Sequence, residues 1–150
     1  MYLLHLDDFL PGQTYNLGSH NFTRDQILEF ATAFDPQPFH ISQAAAEQSN
    51  YGGLIASGWH TASIFMRLLV DGLLKRCASM GSPGVDELRW LTPVRPGDTL
   101  SARLEIEAIR SSKSKPDRGF ITTRAVLTNQ DGVDVLTLRA PLMMRCRTSG

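Results

Sequence analysis

The sequence predicts an α+β fold in which one long helix is enclosed by a curved antiparallel sheet of about five strands. The first half of the chain carries hydrophobic residues at helical spacing, whereas the second half alternates apolar and polar residues as strands do. The longest helical pattern runs from Ser57 to Cys77. About 20 residues at 1.5 Å each make a helix of ~30 Å, comparable to the width of a small domain. A helix with such a long apolar face needs a sheet large enough to curl around it.

Three helices are predicted. Thr23 caps the first in a capping-box pattern, and this helix ends before Pro36, because a residue that precedes proline is pushed out of the α region. Ser42 is the predicted N-cap of a second, short helix. The third is the long helix, whose apolar face is predicted to comprise Trp59, Ala62, Phe65, Met66, Leu69, Val70, Leu73 and Cys77. Its opposite face carries His60, Ser63, Arg67, Asp71 and Lys75.

The predicted strands lie mostly in the second half of the chain. They comprise residues 14–22, 84–94, 100–108, 120–128 and 133–144. The pattern is clearest from Leu100 to Ala108, where apolar and polar side chains alternate strictly, so the sheet is expected to bury one face only. The dipeptide Asp131-Gly132 favours a hairpin turn between the last two strands.

Composition excludes several classes of function. The 150 residues are 42% hydrophobic, and 15 Lys plus Arg balance 15 Asp plus Glu, which argues against a broad basic surface for nucleic acid. Cys77 and Cys146 stand apart without a C-x-x-C motif, which disfavours a disulfide framework or a structural zinc site. No apolar run reaches about 18 residues, and residues 1–10 lack the form of a secretory signal. We therefore expect one soluble cytoplasmic domain over residues 1–150, with no membrane or nucleic-acid partner.

The first candidate site is the stretch Asp35-Pro-Gln-Pro-Phe-His40. A carboxylate and an imidazole are the side chains needed for proton transfer near neutral pH. The two prolines between them restrict the backbone, which leaves little conformational freedom in the segment. Spacing alone also leaves open a plain proline-rich loop, in which the aspartate caps backbone groups and the histidine is half exposed.

The second candidate site is the glycine-rich segment that leads from Tyr51 to His60 and into the long helix. The first N–H groups of a helix have no intrahelical partner and carry a partial positive charge. Glycine there lets a substrate carbonyl approach the backbone closely, so the segment is suited to stabilise an oxyanion. A glycine loop that merely turns the chain before a helix is the alternative.

Together, Asp35-Pro-Gln-Pro-Phe-His40 and Gly52-Gly-Leu-Ile-Ala-Ser-Gly-Trp-His-Thr61 resemble the MaoC-like dehydratases, which include the (R)-specific enoyl-CoA hydratases. The family pattern is approximately Gly-Asp-x-Asn-Pro-(aliphatic)-His, followed after five residues by Ala or Ser. The positions in register with it are Asp35, Pro38, His40 and Ala46. The segment from Leu88 to Asp98 also resembles the family's first sheet strand and its turn.

The resemblance implies a hotdog fold, in agreement with the architecture predicted above, and a homodimer with active sites near the subunit interface. It implies that Asp35 and His40 are the catalytic pair and that the backbone N–H of Gly58 is the oxyanion donor. The residues expected to bind substrate are Phe34, Gln37, Gly53, Ser57 and Trp59. Gln37 replaces the usual Asn, and Phe34 replaces the usual Gly, so a bulky ring beside the base is expected to narrow or redirect the acyl pocket.

The reaction implied by the resemblance is reversible syn hydration of trans-2-enoyl-CoA thioesters to (3R)-3-hydroxyacyl thioesters, without metal or redox cofactor. Two other functions stay open: a hotdog acyl-CoA thioesterase, and a non-catalytic module that binds acyl thioesters. The absence of Asp and Glu between Gly52 and Val70 weighs against the thioesterase. The segment from Arg110 to Arg118 holds four basic residues and one acid. It is either a contact for the phosphates of coenzyme A or a solvated loop.

Overall fold

A computed structural model describes residues 3–147 of the chain. Within them, the helices are α1 (Arg24–Phe34), α2 (Pro38–Ile41), α3 (Gln43–Gln48) and α4 (Gly58–Gly72). The strands are β1 (Thr14–Asn21), β2 (Glu87–Trp90), β3 (Thr99–Ser111), β4 (Arg118–Thr128) and β5 (Asp134–Arg145). They form one antiparallel sheet in the order β1-β3-β4-β5-β2. None of the helices in this part of the chain is both long enough and apolar enough to cross a membrane.

The sheet curls around α4 and buries one face against it, which confirms the predicted α+β hotdog architecture. Strand β3 shows the reason: buried and exposed side chains alternate along its first half, so apolar residues such as Leu104 point to one face and charged ones such as Arg103 to the other. The core cluster joins these strand residues to Phe65 and Leu69 of α4. Helix α1 contacts α4 and α2, and α2 in turn contacts α3.

Helix α4 is shorter than the sequence predicted. It ends at Gly72 instead of Cys77, because the backbone of Leu73 leaves the helical region (φ −146°, ψ −58°) and a 3-10 turn over Leu74–Arg76 follows. A Cβ added at Gly72 would lie 2.9 Å from the Cα of Leu17. Strand β1 therefore passes directly against the end of the helix, at a distance that only glycine permits.

The face that α4 buries also differs from the prediction. Phe65, Leu69 and Leu73 are buried as expected, whereas His60, which was predicted on the polar face, is buried too. Three residues of the predicted apolar face instead stay exposed: Trp59, Met66 and Val70, at 59%, 48% and 38%. We call these three residues the α4 stripe. Hydrophobic periodicity finds the apolar residues of a helix, but it does not show which of them the sheet covers.

Strand β2 is likewise shorter than the predicted strand over residues 84–94. Only Glu87–Trp90 pairs with β5, opposite Leu136–Arg139. Proline and glycine flank the paired residues on both sides, and proline cannot donate to a strand ladder. β2 is the last strand of the sheet, so its outer edge has no strand partner within the described residues.

Candidate active site

The chain turns between α1 and α2 so that Asp35 and His40 face each other. Asp35 is the C-cap of α1, and Pro38 opens α2, where the missing proline N–H costs no hydrogen bond. The short helix α2, which the sequence did not predict, carries His40 back toward α1. Oδ2 of Asp35 and Nε2 of His40 are 3.3 Å apart. His40 is only 5% exposed, so the segment is not the half-exposed loop that spacing alone left open.

Both carboxylate oxygens of Asp35 are hydrogen-bonded. The side-chain amide of Gln37 donates to Oδ1 at 2.7 Å, and the hydroxyl of Ser57 donates to Oδ2 at 2.8 Å. Burial favours the neutral carboxyl and raises its pKa, but the bonds from Gln37 and Ser57, with the charge of His40, outweigh burial and lower the pKa below its usual value. Asp35 is therefore held as a carboxylate with a fixed orientation.

The position of His40 fixes where its proton lies. Nδ1 of His40 is 2.7 Å from the carbonyl oxygen of Ile55, and a carbonyl oxygen only accepts, so Nδ1 carries a hydrogen. Nε2 then faces Oδ2 of Asp35, either as an N–H of the imidazolium or as a lone pair of the neutral ring. The imidazolium satisfies both contacts directly, whereas the neutral ring needs a bridging water or hydroxyl. The carboxylate and the imidazole therefore lie close enough for a proton to pass between them.

Gly58 begins α4 beside this pair, after the N-cap Ser57. The indole N–H of Trp90 donates to the carbonyl oxygen of Gly58 at 2.8 Å. A Cβ at position 58 would overlap the ring of Trp90, so only glycine fits there. The indole packs against the first turn of α4. The N–H groups of Trp59, His60 and Thr61 donate to Ser57, whereas that of Gly58 has no partner among the described residues. This N–H and the partial positive charge of the helix N-terminus are suited to receive negative charge.

These groups meet at one cavity of about 410 Å³. Six of the eight sequence-predicted site residues gather here: Asp35, Gln37, His40, Gly58 and Trp59 line the cavity, and Ser57 lies fully buried behind Asp35. Within residues 3–147, no three His, Cys, Asp or Glu side chains are grouped so that they could hold a metal ion.

Phe34 and Gly53 do not line the cavity. Phe34 is 76% exposed and lines a separate cavity with Phe30 and His60, so it does not narrow the space beside Asp35. Gly53 is buried, and a Cβ there would lie 3.3 Å from Nη1 of Arg95. Its absent side chain makes room for a guanidinium instead of a substrate.

Sequence analysis missed several residues of the cavity wall. Trp90 lies within the segment that resembles the family's first sheet strand, but no local signal shows that its indole reaches Gly58, 32 positions away. Thr61, one turn into α4, places a buried hydroxyl on the wall. Val135, at the start of β5, closes the far side. A tryptophan a few positions before a turn with proline and glycine was the only hint of Trp90 in the sequence.

The basic segment between β3 and β4 lies at the opposite end of the sheet. Arg118, the last residue of the basic segment, stands opposite Arg145 in the β4–β5 register, and Arg145 ends β5. Val135, at the start of β5, lines the cavity. Ten residues of extended strand span roughly 33 Å. Within one chain, this segment is therefore too far from Asp35 to meet a ligand held there.

The enclosed helix, the curled sheet and the Asp–His pair beside a helix N-terminus define a hotdog protein of the hydratase and dehydratase type. The family model described as "MaoC like domain" matches residues 8–128, and the chain belongs to this family. The crystal structure of a MaoC-like dehydratase from Rhodospirillum rubrum is 40% identical, with a TM-score of 0.87 over 97% of this chain and 99% of that one.

Two further relatives support the assignment. The (R)-hydratase from A. caviae involved in PHA biosynthesis is 29% identical and superimposes with a TM-score of 0.70, over 89% of this chain and 96% of that one. The uncharacterised protein YdeM of Bacillus subtilis is 27% identical over 132 residues, which are 88% of this chain and 92% of YdeM.

Proposed function

We propose that the protein catalyses the reversible syn hydration of trans-2-enoyl-CoA to (3R)-3-hydroxyacyl-CoA. The observation that carries this proposal is the convergence of a carboxylate, an imidazole and a helix N-terminus on one cavity, at Asp35, His40 and Gly58. Membership of the MaoC-like family and the similarity to an (R)-hydratase support the same reaction class.

In the proposed mechanism, a water molecule lies against Asp35 and His40 and attacks C3 of the enoyl group. Asp35 accepts one proton of this water as the new C–O bond forms. His40, as the imidazolium, donates its Nε2 proton to C2. The proton on Asp35 then passes to Nε2, 3.3 Å away, which restores both residues. Because the base and the acid are neighbours on one wall, oxygen and hydrogen arrive at the same face of the double bond.

The negative charge that develops on the thioester oxygen would be stabilised by the backbone N–H of Gly58. A single oxyanion donor of this kind is typically worth about 3 kcal/mol of the barrier. The hydrogen bond from Trp90 to the Gly58 carbonyl holds the first turn of α4 against β2, so the N–H need not reorient during the reaction.

We propose that the acyl chain runs along α4 toward a second, apolar cavity of about 230 Å³. That cavity is lined mainly by Phe65, Met66, Leu69, Leu138, Ala140 and Leu142. Eight residues separate Thr61, on the wall of the first cavity, from Leu69, which corresponds to about 12 Å of helix. This length supports acyl groups longer than crotonyl as substrates.

We also propose that the protein is a homodimer of one-domain hotdog subunits. The α4 stripe is apolar yet exposed. Trp90, the last residue of β2, and Leu91, which follows it, are 45% and 51% exposed. The free edge of β2 adds unpaired backbone groups, which proteins usually cover. A second copy packed against this surface would bury the stripe and close the mouth of the cavity. The cytoplasmic location expected from composition stays a prediction.

Hydration of crotonyl-CoA, followed by the loss of enoyl absorbance, tests the proposed reaction. Asp35→Asn keeps the shape but removes the base, so kcat should fall about 10³-fold while the thermal melting temperature changes little. Asp25→Asn alters an acid in the first turn of the same helix, away from the cavity, and serves as the matched control. A wild-type rate for Asp35→Asn would refute the assignment.

A panel of enoyl-CoA esters of graded length, with the configuration of the product determined, tests the substrate and the stereochemistry. A (3S) product would contradict the proposed geometry. Release of free CoA thiol from saturated acyl-CoA would instead support the thioesterase. Tight binding without turnover of any ester would support the binding module.

A further inference from the structure

We propose that Arg95 binds a phosphate group of the arm that carries the acyl thioester. The inference rests on the proposed function, since it requires a pantetheine-linked substrate. Coenzyme A and acyl carrier protein share this chemistry, because both present the acyl group on a phosphorylated pantetheine. Arg95 lies in the turn that follows β2, next to Val94 on the cavity wall.

Arg95 is held at the rim of the cavity by three contacts. Its Nη2 donates to the carbonyl oxygen of Tyr51 at 2.6 Å, and Tyr51 lines the cavity. Its Nη1 lies 3.3 Å from where a Cβ at Gly53 would be, so the guanidinium packs close to this glycine. Its backbone N–H donates to Oδ2 of Asp98 at 2.9 Å, which fixes the turn. The long side chain is therefore ordered before a ligand arrives.

The guanidinium of Arg95 has N–H donors that remain available to a ligand. It carries five N–H donors, of which the contact with Tyr51 uses one. No ion pair between described residues includes Arg95, whereas Arg89, on the neighbouring strand, is paired with Glu87. The nearest acid in the turn, Asp98, accepts from the backbone of Arg95 and from the side chain of Gln130. An exposed, ordered and unpaired arginine is suited to a bidentate contact with phosphate.

The charge of the cavity favours this role. No lysine or arginine belongs to the described residues of its wall, and Asp35 adds a negative charge. A phosphorylated ligand therefore meets no basic side chain on this wall. The basic segment of residues 110–118 lies at the far end of the sheet, as shown above. Arg95 is in contact with the wall itself.

A row of aromatic side chains leads from the reacting groups to Arg95. The ring of His40 packs on Phe39 with centroids 4.5 Å apart, and Phe39 packs on Tyr51 with centroids 5.3 Å apart. The guanidinium lies beyond this aromatic wall, on the backbone of Tyr51. An arm that reaches it would run along Phe39 and Tyr51. Arg95 is thus expected to contribute to binding and not to the chemical step.

Calorimetric titration with pantetheine, 4′-phosphopantetheine, dephospho-CoA and CoA tests the proposal, for the wild type, Arg95→Gln and Arg95→Lys. We expect Arg95→Gln to weaken phosphate-bearing ligands about tenfold and to leave pantetheine unchanged. Arg95→Lys keeps the charge but loses the planar fork, so it should recover part of the loss. Arg67→Gln, at an exposed arginine on α4, is the control and should bind all four ligands as the wild type does.

The ligand series identifies which phosphate is bound. If Arg95→Gln binds both 4′-phosphopantetheine and CoA more weakly than the wild type does, the contact is with the 4′-phosphate, which both carriers possess. This result supports the proposal. Weaker binding of CoA alone, with dephospho-CoA and 4′-phosphopantetheine unaffected, would assign the contact to the 3′-phosphate of the adenosine part and would overturn a contact with the pantetheine arm. An equal loss of affinity for all four ligands, pantetheine included, would show that Arg95 only stabilises the Tyr51 segment, and it would overturn the proposal. Equal affinities for the wild type and both variants would overturn it too.

The titrations need no turnover, so they separate this inference from the proposed function. If Arg95-dependent binding of CoA is found in a protein that hydrates no enoyl ester, the proposed reaction fails and the phosphate site stands. If the wild type hydrates enoyl-CoA, Arg95→Gln should raise KM about tenfold at unchanged kcat. An unchanged KM there, with equal affinities, would refute only the phosphate site. Absence of binding of both CoA and 4′-phosphopantetheine to the wild type would refute the phosphate site, and absence of turnover of every enoyl ester would refute the proposed reaction.

Discussion

Replacing His60 with leucine is expected to stabilise the protein, and to do so more at acidic than at neutral pH. His60 lies on the first turn of α4 and is only 5% exposed. Its ring packs between Phe22 and Phe30, with both centroid separations at 4.8 Å. Nδ1 has no hydrogen-bond partner among the described residues. Burial, with a smaller effect of the neighbouring His20, lowers the pKa of His60 to about 4.

The sign of the effect follows from proton uptake. An unfolded chain protonates this imidazole near its ordinary pKa of 6.5, whereas the folded protein does so only near 4, so the wild type loses stability as the pH falls between these values. The whole difference corresponds to at most about 3 kcal/mol, and the part lost between pH 7 and pH 5 to about 2 kcal/mol. Leucine does not titrate, and it also removes a buried, unsatisfied nitrogen, worth about 1 kcal/mol at pH 7.

Urea unfolding at pH 7, 6 and 5 measures the free energy of unfolding of both proteins. The difference between wild type and His60→Leu isolates this residue, because every other titrating group is common to both. The gap should widen by about 2 kcal/mol from pH 7 to pH 5. Ser63→Ala, at an exposed residue of α4 that does not titrate, should differ from the wild type by the same amount at each pH. Parallel pH profiles for wild type and His60→Leu would refute the argument that the imidazole is buried and neutral.

Three other substitutions test the packing of the site and the core. Ser57→Ala removes a donor to Asp35, so the pKa of that carboxyl should rise and the acid limb of the kcat/KM profile should move to higher pH. Trp90→Phe keeps the ring but loses the hydrogen bond to the first carbonyl of α4; kcat should fall about tenfold at unchanged KM. Gly72→Ala forces a Cβ to within 2.9 Å of the backbone of Leu17 and should lower the free energy of unfolding by about 1–3 kcal/mol in urea titrations, despite the better helix propensity of alanine. An unchanged acid limb, an unchanged kcat or an unchanged stability would contradict the respective argument.

The strands could be predicted closely because their signal is local. A side-chain period of two is visible within a few residues, and the predicted strands at residues 14–22, 120–128 and 133–144 match the observed β1, β4 and β5 to within two residues at each end. The buried face of α4 was harder to predict, because apolar residues occupy a wider face of this helix than the sheet covers. Which of them are buried depends on where the sheet crosses, and Trp59 and Met66 were therefore misplaced.

The candidate site likewise contains residues that could be identified from a local pattern and residues that could not. Sequence alone singled out Asp35 and His40, because two titratable residues joined by a proline-stiffened segment form a local pattern. It assigned Phe34 to the same pocket by adjacency, although adjacent residues at a helix end point in different directions. The structure places Phe34 in a separate cavity.

The amino-acid sequence by itself determined the fold class, the positions of β1, β4 and β5, and the choice of Asp35 and His40 as the candidate acid–base pair, since all three depend on short-range pattern. Tertiary structure alone decided that Ser57 orients Asp35 and that Trp90 covers Gly58, at separations of 22 and 32 residues. It also decided that Arg95, and not the basic segment, lies at the cavity rim. Such contacts follow from how the curled sheet brings distant strands to the end of one helix, and no local pattern of residues records that path.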